Sequence, residues 1–469
     1  MHVVVVGGGM AGLAAALELT RSGERPKVTL LEAADRVGGM VRVSDVGGIP
    51  VDEGAESLLA RRTEAVDLAR QVGLGDQLVA PATTSAGIWS RGRVHHLPSG
   101  TLLGVPTRVR SVLGAGVLSP AERVQALAGL LHAPAVPDQD EPVGDWVRRS
   151  LGPGVADRLV EPLLGGVYAG QVDELSLRST MPALAAQLAP GRTVRAVGKR
   201  SQATGSLRRG PVFQAPVGGV GRLPLATAAE LVRRGVSVRT GAEVRLVVRA
   251  DRGWRVVFGP ARESHALMCD AVVVALPAPQ AAALLYPHAP VAATELSGIA
   301  YAGVGLVTLV LDARDGSWAP HGSGVLVPAV ERRVVKAVTL SSRKWGWYAD
   351  VAPGALVLRA SVGRYREDDV LDLDDDALVA AVRDDLRDVV RVGGEPRAVR
   401  VTRWRQALPQ YAVGHVERVA RIRADVAKVP GLAVCGAAYD GVGIPAVIAS
   451  GREAAHGVLR PPAAAEGGH

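Results

Sequence analysis

Residues 2–12, His-Val-Val-Val-Val-Gly-Gly-Gly-Met-Ala-Gly, decide the fold. The run of valines reads as a buried strand, and Gly7, Gly9 and Gly12 form a Gly-x-Gly-x-x-Gly turn at its end. A helix is expected over Leu13–Ser22, then a second strand, Val28–Leu31, ending in Glu32. In a dinucleotide-binding βαβ unit Gly7 permits the tight turn, Gly9 lets the backbone approach a pyrophosphate, and Gly12 lets helix and strand pack closely. The new helix offers unpaired N–H groups and a positive dipole end to the phosphates. Glu32, about 20 residues on, is placed to accept from a ribose hydroxyl. The glycine pattern alone also fits a tight turn in any α/β protein. The flanking strand, helix and acidic strand end favour the nucleotide, with NAD and FAD both open at this point.

The 469-residue chain is long enough for two or three domains. With 48% hydrophobic and 21% charged residues it has an ordinary globular composition. Lys and Arg number 54 against 46 Asp and Glu, a net charge of +8 that favours acidic small molecules, anionic lipid or nucleic acid. Aromatics are only 3% of residues and no aromatic-rich basic module is present, so nucleic acid is not an expected partner. Cys269 and Cys435 stand in apolar strands and read as reduced core thiols, with no metal site among the cysteines. The first strand starts at once, which leaves no room for a signal peptide, and no apolar run reaches the ~18 residues of a membrane span. The expectation is a reduced, soluble, cytoplasmic protein.

Further strands are expected at residues 236–248, at Trp254–Phe258, from Asp270 to a stop at Pro277, and at Gly431–Gly436. Residues 119–190 read as mainly helical, with Ser119-Pro120 opening a helix whose apolar face is Val124, Leu127, Leu130 and Leu131. Residues 191–211 carry Arg192, Arg195, Lys199, Arg200, Arg208 and Arg209 with no acid, the pattern of a solvated loop. Residues 300–405 alternate like the strands of a second sheet, with a helix near Asp374–Val390, and the Pro/Ala/Gly tail from Pro461 is expected to be disordered.

A second glycine-rich turn, Gly436-Ala-Ala-Tyr-Asp-Gly-Val-Gly-Ile-Pro445, leads into a helix ending near Gly457. Ala33-Ala34-Asp35-Arg36-Val37-Gly38-Gly39 follows Glu32, and Gly54-Ala-Glu-Ser57 follows soon after. Glu161-Pro-Leu-Leu-Gly-Gly-Val-Tyr-Ala-Gly170 and Arg403-Trp-Arg-Gln-Ala-Leu-Pro-Gln-Tyr-Ala-Val-Gly-His415 complete the pattern. With these stretches the chain resembles the oxygen-dependent protoporphyrinogen/coproporphyrinogen III oxidases of the FAD amine oxidase superfamily, over its whole length to about Leu459. The likeness looks closest to the soluble coproporphyrinogen III oxidases of Gram-positive bacteria.

The resemblance implies an α/β (α+β composite) fold: a Rossmann-like FAD-binding domain of the two-dinucleotide-binding-domain type, a mixed-sheet substrate domain and a helical insertion. The implied boundaries are 1–69, 219–283 and 405–460 for the FAD domain and 70–98, 206–218 and 284–404 for the substrate domain. The helical domain would span 99–205, before a tail at 461–469. Carried over residue by residue, noncovalent FAD would be held by Gly7, Gly8, Gly9, Met10, Ala11 and Gly12, with Glu32 and Ala33 at the ribose. Gly54, Ala55, Glu56 and Ser57 would run along the flavin, Val244 would meet adenine through its backbone, and Trp404 would border the flavin. Val442, Gly443 and Ile444 would face its pyrimidine edge, where the helix dipole opposes developing negative charge. Met40 stands where relatives carry Lys or Arg, which leaves only a backbone contact, and Ala446 replaces a common Asp and receives no role.

The implied reaction is oxidation of coproporphyrinogen III to coproporphyrin III, with O2 as acceptor and H2O2 as product, in haem biosynthesis. Protoporphyrinogen IX, or an amine or carotenoid substrate, is the alternative, and a flavin-free escort protein of the same fold is a more distant one. No catalytic side chain or metal ligand is expected, since the flavin carries the redox chemistry. Arg62 is the substrate-binding candidate, as a propionate contact or else a plain surface arginine. His95, His96 and His415 read as structural. Transient contact with ferrochelatase stays open as a partner, and peripheral membrane contact is not expected.

Overall fold

The computed structural model describes residues 1–132, 139–186, 210–316 and 320–459. The tail from Pro461, and all but the last two residues of the basic stretch 191–211, lie outside the described residues.

Val3–Val6 form the middle of a five-stranded parallel sheet, and each is at most 2% exposed. A strand covered on both faces must be apolar at every position, which is why this one does not alternate. The sheet order is Ser237–Arg239, Lys27–Leu31, His2–Val6, Ala271–Val274, Leu432–Val434. Its strands therefore come from three widely separated stretches of chain. The helix after the first strand spans Met10–Arg21, starting three residues earlier than expected because Gly9 already serves as its N-cap. The C-terminal helix, Ile444–Leu459, packs along it. Close approach is required there, because a Cβ on Gly451 would fall onto the Ala11 carbonyl. Val244–Arg249, Trp254–Phe258 and His265–Cys269 form a small antiparallel sheet.

A seven-stranded mixed sheet is the second layer, in the order Ala398–Pro409, Tyr301–Asp312, Ala355–Val362, Val335–Thr339, Gly324–Leu326, Ala86–Ser90, Arg93–His96. Helix Asp375–Val389 is capped by the Asp374 side chain and shares a core with this sheet through Leu378, Val382, Leu386 and Val389. A third core gathers Trp146, Val147, Leu151, Leu159 and Leu164 from the helices of residues 109–185. Helix Pro120–His132 buries half of the apolar face expected of it, Leu130 in the core and Leu127 packed against it. Ala126 and Leu130 are buried, whereas Val124 and Leu131 are 68% and 55% exposed. The cause is Gly129, which lies so close to the Ser150 carbonyl that the Ala126–Leu130 edge turns inward. Cys269 and Cys435 are both free and buried. Among the described residues no helix is long and apolar enough to cross a membrane.

Candidate cofactor and active site

Two glycine turns meet at the ends of the parallel strands. The Gly38 amide donates to the Gly8 carbonyl at 2.8 Å, and Gly9 and Gly38 pair as an isolated bridge. Gly7 has a φ of +105°, and a Cβ there would collide with the Ala275 carbonyl. On Gly12 a Cβ would fall onto the Gly7 carbonyl. Gly9 is different: a Cβ there would meet nothing within 4 Å, so the turn is open on that side. Two of the three glycines thus serve packing, and the third faces free space. Met10 and Ala11 are buried in the helix that starts there.

Glu32 is fixed to the turn, its Oε2 accepting from the Gly8 amide at 2.6 Å and its Oε1 from the Ala34 amide at 2.8 Å. Ala33 beside it is exposed. A cavity of about 370 Å³ opens here, lined by Gly7, Leu31, Glu32, Ala33, Val244 and Leu276 among others. Distant Val244 is thereby brought to the same hollow as the first turn.

A second group forms a continuous wall. Gly54 lies against the Met40 carbonyl, closer than any side chain would allow. The Trp404 indole Nε1 donates to the Glu53 carbonyl at 2.7 Å, and the Arg42 guanidinium sits 5.2 Å above its ring. Arg42 Nε also donates to the Gly39 carbonyl at 2.8 Å, which ties this wall to the second glycine turn. Ala55 is exposed and Ser57 half-buried. At the start of the C-terminal helix Val442 is half-buried, Gly443 exposed and Ile444 buried. That helix also touches Leu58–Leu59, the strand directly after Ser57.

Glu56 does something its sequence position does not suggest. Its carboxylate is buried in the second sheet, 2.6 Å from Arg359 and 3.3 Å from Lys344. It also accepts from Trp345 Nε1 at 2.8 Å and from the Ser341 hydroxyl at 3.0 Å. Burial alone would raise its pKa, but Lys344, Arg359 and these hydrogen bonds outweigh that and hold it at about 2. Arg359 also donates to the Gly54 carbonyl at 2.6 Å. The segment is therefore held from behind by a buried ion cluster, and Glu56 offers only its backbone to the front. Asp52 is a second clamp that sequence reasoning missed. It accepts from the amides of Val220 and Gly221, and burial pushes its pKa up to about 7.

Arg62 is exposed and caps no helix with its side chain; its guanidinium donates to Glu64 at 2.6 Å. Glu161, in the helical signature, is buried and accepts from the Ala329 amide at 2.9 Å, joining the helices to the second sheet. His95 is buried, His96 exposed, and both belong to strand Arg93–His96. Among the described residues no cluster of three His, Cys, Asp or Glu is placed to hold a metal. The residues do fit a dinucleotide: glycines where a Cβ would collide, open space at Gly9, and a carboxylate at the mouth of the hollow.

The sequence profile of the flavin containing amine oxidoreductases matches residues 10–459. The coproporphyrinogen III oxidase of Mycobacterium tuberculosis H37Rv is 38% identical over 457 residues, covering 97% of this chain and 96% of that one. The coproporphyrinogen III oxidase of Bacillus subtilis is 30% identical, with 98% of each chain covered. A crystal structure from Exiguobacterium sp. 255-15, provisionally described as a protoporphyrinogen oxidase, superposes with a TM-score of 0.85 at 32% identity. It covers 97% of this chain and 98% of its own.

Proposed function

We propose, from the premise that this chain belongs to the flavin-containing amine oxidoreductase family, that it oxidises coproporphyrinogen III to coproporphyrin III with O2. The observation that carries the substrate is the full-length likeness to mycobacterial and Bacillus enzymes named for that reaction. The overall change removes six electrons and six protons from the substrate and turns three O2 into three H2O2. The bound flavin supplies the two-electron chemistry, which this set of side chains does not offer.

The chain's own residues bind and orient. The amides of the Gly7–Gly12 turn and the helix behind it would hold the pyrophosphate of FAD. Glu32 would accept from the ribose, and the Val244 backbone would meet the adenine. Met40, Gly54–Ser57 and Trp404 would border the ring system, with Glu56 contributing backbone only. Val442, Gly443 and Ile444 would present the positive end of the C-terminal helix to the pyrimidine edge. A mostly apolar slot would then bring a meso carbon to about 3–3.5 Å from the ring. Pyrrole N–H protons can leave to water, so no dedicated acid or base is assigned. Arg62 would meet a propionate at the mouth by exchanging its local contact with Glu64. The cytoplasm is the compartment, with transient handover to ferrochelatase.

Steady-state turnover followed by porphyrin fluorescence tests this reading. A higher kcat/KM for coproporphyrinogen III than for protoporphyrinogen IX is expected. The reverse order would favour the second reading, protoporphyrinogen IX oxidation, which the description of the Exiguobacterium relative supports. A colourless purified protein that takes up no flavin would sink both. FAD is held noncovalently, and Cys435 is buried behind the turn; acid or heat should release all of the flavin from the polypeptide.

A further inference from the structure

Tyr411 belongs to the Trp404–His415 stretch but has no role in the reading above. Its ring is 2% exposed, and its phenol oxygen makes two hydrogen bonds to one loop. It donates to the Ala437 carbonyl at 2.6 Å and accepts from the Gly441 amide at 2.7 Å. Burial raises the phenol pKa, so the group stays protonated and both roles are fixed. The loop so closed, residues 437–441, runs directly into Val442, Gly443 and the start of the C-terminal helix. His415 reinforces it from the side. Its ring stacks on Tyr411 at 3.9 Å and 15°, and its Nε2 lies 3.2 Å from the Tyr439 carbonyl. Since a carbonyl can only accept, Nε2 carries the proton, and burial keeps the imidazole neutral with a pKa of about 4.

The other side of Tyr411 faces the helical signature. Tyr168 lies 5.6 Å away, tilted by 51°. The neighbouring Gln410 donates to the Tyr168 carbonyl at 2.9 Å, and the Ser176 amide donates to the Tyr411 carbonyl at 2.8 Å. One short stretch of chain is therefore bonded to the helical segment on one flank and to the C-terminal turn on the other.

We infer that Tyr411, braced by His415, is a positioning residue that sets where the amides of Val442–Ile444 stand against the flavin's pyrimidine edge, and so the electron affinity of the bound flavin. The inference rests on the placement of FAD proposed above. Fixed donors act on developing charge without reorganising, and two hydrogen bonds from one rigid phenol supply that fixity. A hydrogen bond to water, or to a mobile side chain, would not.

The test is Tyr411→Phe, which removes both hydrogen bonds and keeps the ring. Purified with FAD, it should hold stoichiometric flavin, bind sulfite about tenfold more weakly than wild type by loss of flavin absorbance, and show a lower midpoint potential. Its kcat should fall while KM stays within about twofold. Tyr439→Phe is the control, because the Tyr439 hydroxyl is buried with no partner in the same neighbourhood; its sulfite affinity should match wild type. Equal shifts in the two variants, or a Tyr411→Phe protein with wild-type sulfite affinity and potential, would overturn the inference. Should Tyr411→Phe yield no holoprotein, His415→Phe keeps the stack, loses the Tyr439 contact, and should shift sulfite affinity the same way by about threefold; no shift would be equally fatal. Sulfite reads the flavin without any porphyrinogen. A wild type that ignores coproporphyrinogen III would therefore sink the functional reading and leave this one standing.

Discussion

The two helices that follow glycine-rich turns, Met10–Arg21 and Ile444–Leu459, begin by different means. Met10–Arg21 starts from a turn shaped by its own glycines: Gly7 and Gly12 are there because any side chain would strike a carbonyl a few ångströms away. Ile444–Leu459 also starts from a glycine-rich turn, yet the loop before it is closed by Tyr411, 26 and 30 residues earlier in the chain. One start is a matter of local sterics and the other of tertiary hydrogen bonding. The two helices pack together where Gly451 touches Ala11. Only the first cause is written in adjacent residues.

The contrast can be broken most severely from behind the site. If local sterics governed everything, deleting a carboxylate outside the glycine turns would matter little. Glu56→Ala should instead cost about 3–5 kcal/mol in denaturant unfolding, because it leaves Arg359 buried without its counterion. The acid limb gives an independent check. Glu56 sits at about 2 in the folded state against an ordinary value of 4.5. Its contribution is thus complete above pH 4.5 and is lost as pH falls toward 2. The variant should show a flatter stability profile across that window, and an unchanged profile would place the stabilisation elsewhere.

Next in size is the first helix start itself. Gly12→Ala should weaken FAD binding by at least about a hundredfold, near 2.7 kcal/mol, read as flavin-to-protein absorbance after desalting. Full flavin occupancy would show that the turn can yield. The second start has a pH signature instead. His415 is held at about 4 by burial, against the Tyr439 carbonyl contact and with Arg418, Asp440 and Asp140 nearby, while its unfolded value is 6.5. Its neutral form stabilises the fold above pH 6.5, and this is lost as pH falls through 4. Thermal unfolding of wild type should weaken between pH 6.5 and 4, with His415→Phe losing less over the same range. Smallest is Arg62→Ala, which should raise KM for coproporphyrinogen III about tenfold, near 1.4 kcal/mol, with flavin content intact. Unchanged kinetics would leave Arg62 as the surface partner of Glu64.

The first strand, its turn and Glu32 were legible in the sequence, since each depends on neighbours within one βαβ unit. The late helix start was legible from its glycines and Pro445, but the Tyr411 bonds that close the loop before it were not. Val244 was reached only through the family resemblance, and the fold shows why: it lines the same cavity as Glu32 across a sheet edge. The clamps were not legible. Nothing around Asp52 announces the amides of Val220 and Gly221, and nothing around Glu56 announces Arg359 and Lys344 some 300 residues later. The face of helix Pro120–His132 was legible only in part. Leu127 and Leu130 lie on the core side as their spacing suggests, but Val124 and Leu131 do not, because the contact of Gly129 with Ser150 turns the Ala126–Leu130 edge inward.

The order of strands in the parallel sheet also sets a timetable for synthesis. Lys27–Leu31 and His2–Val6 are made first, but Leu432–Val434 and the helix behind it come last. At the usual 5–20 residues per second, roughly 20–80 s separate the emergence of Leu31 from that of Val434. Through that interval the first helix has no C-terminal helix beside it, and the edge of Ala271–Val274 that pairs with the last strand has no partner strand. The parallel sheet is therefore complete only when almost the whole chain has been made.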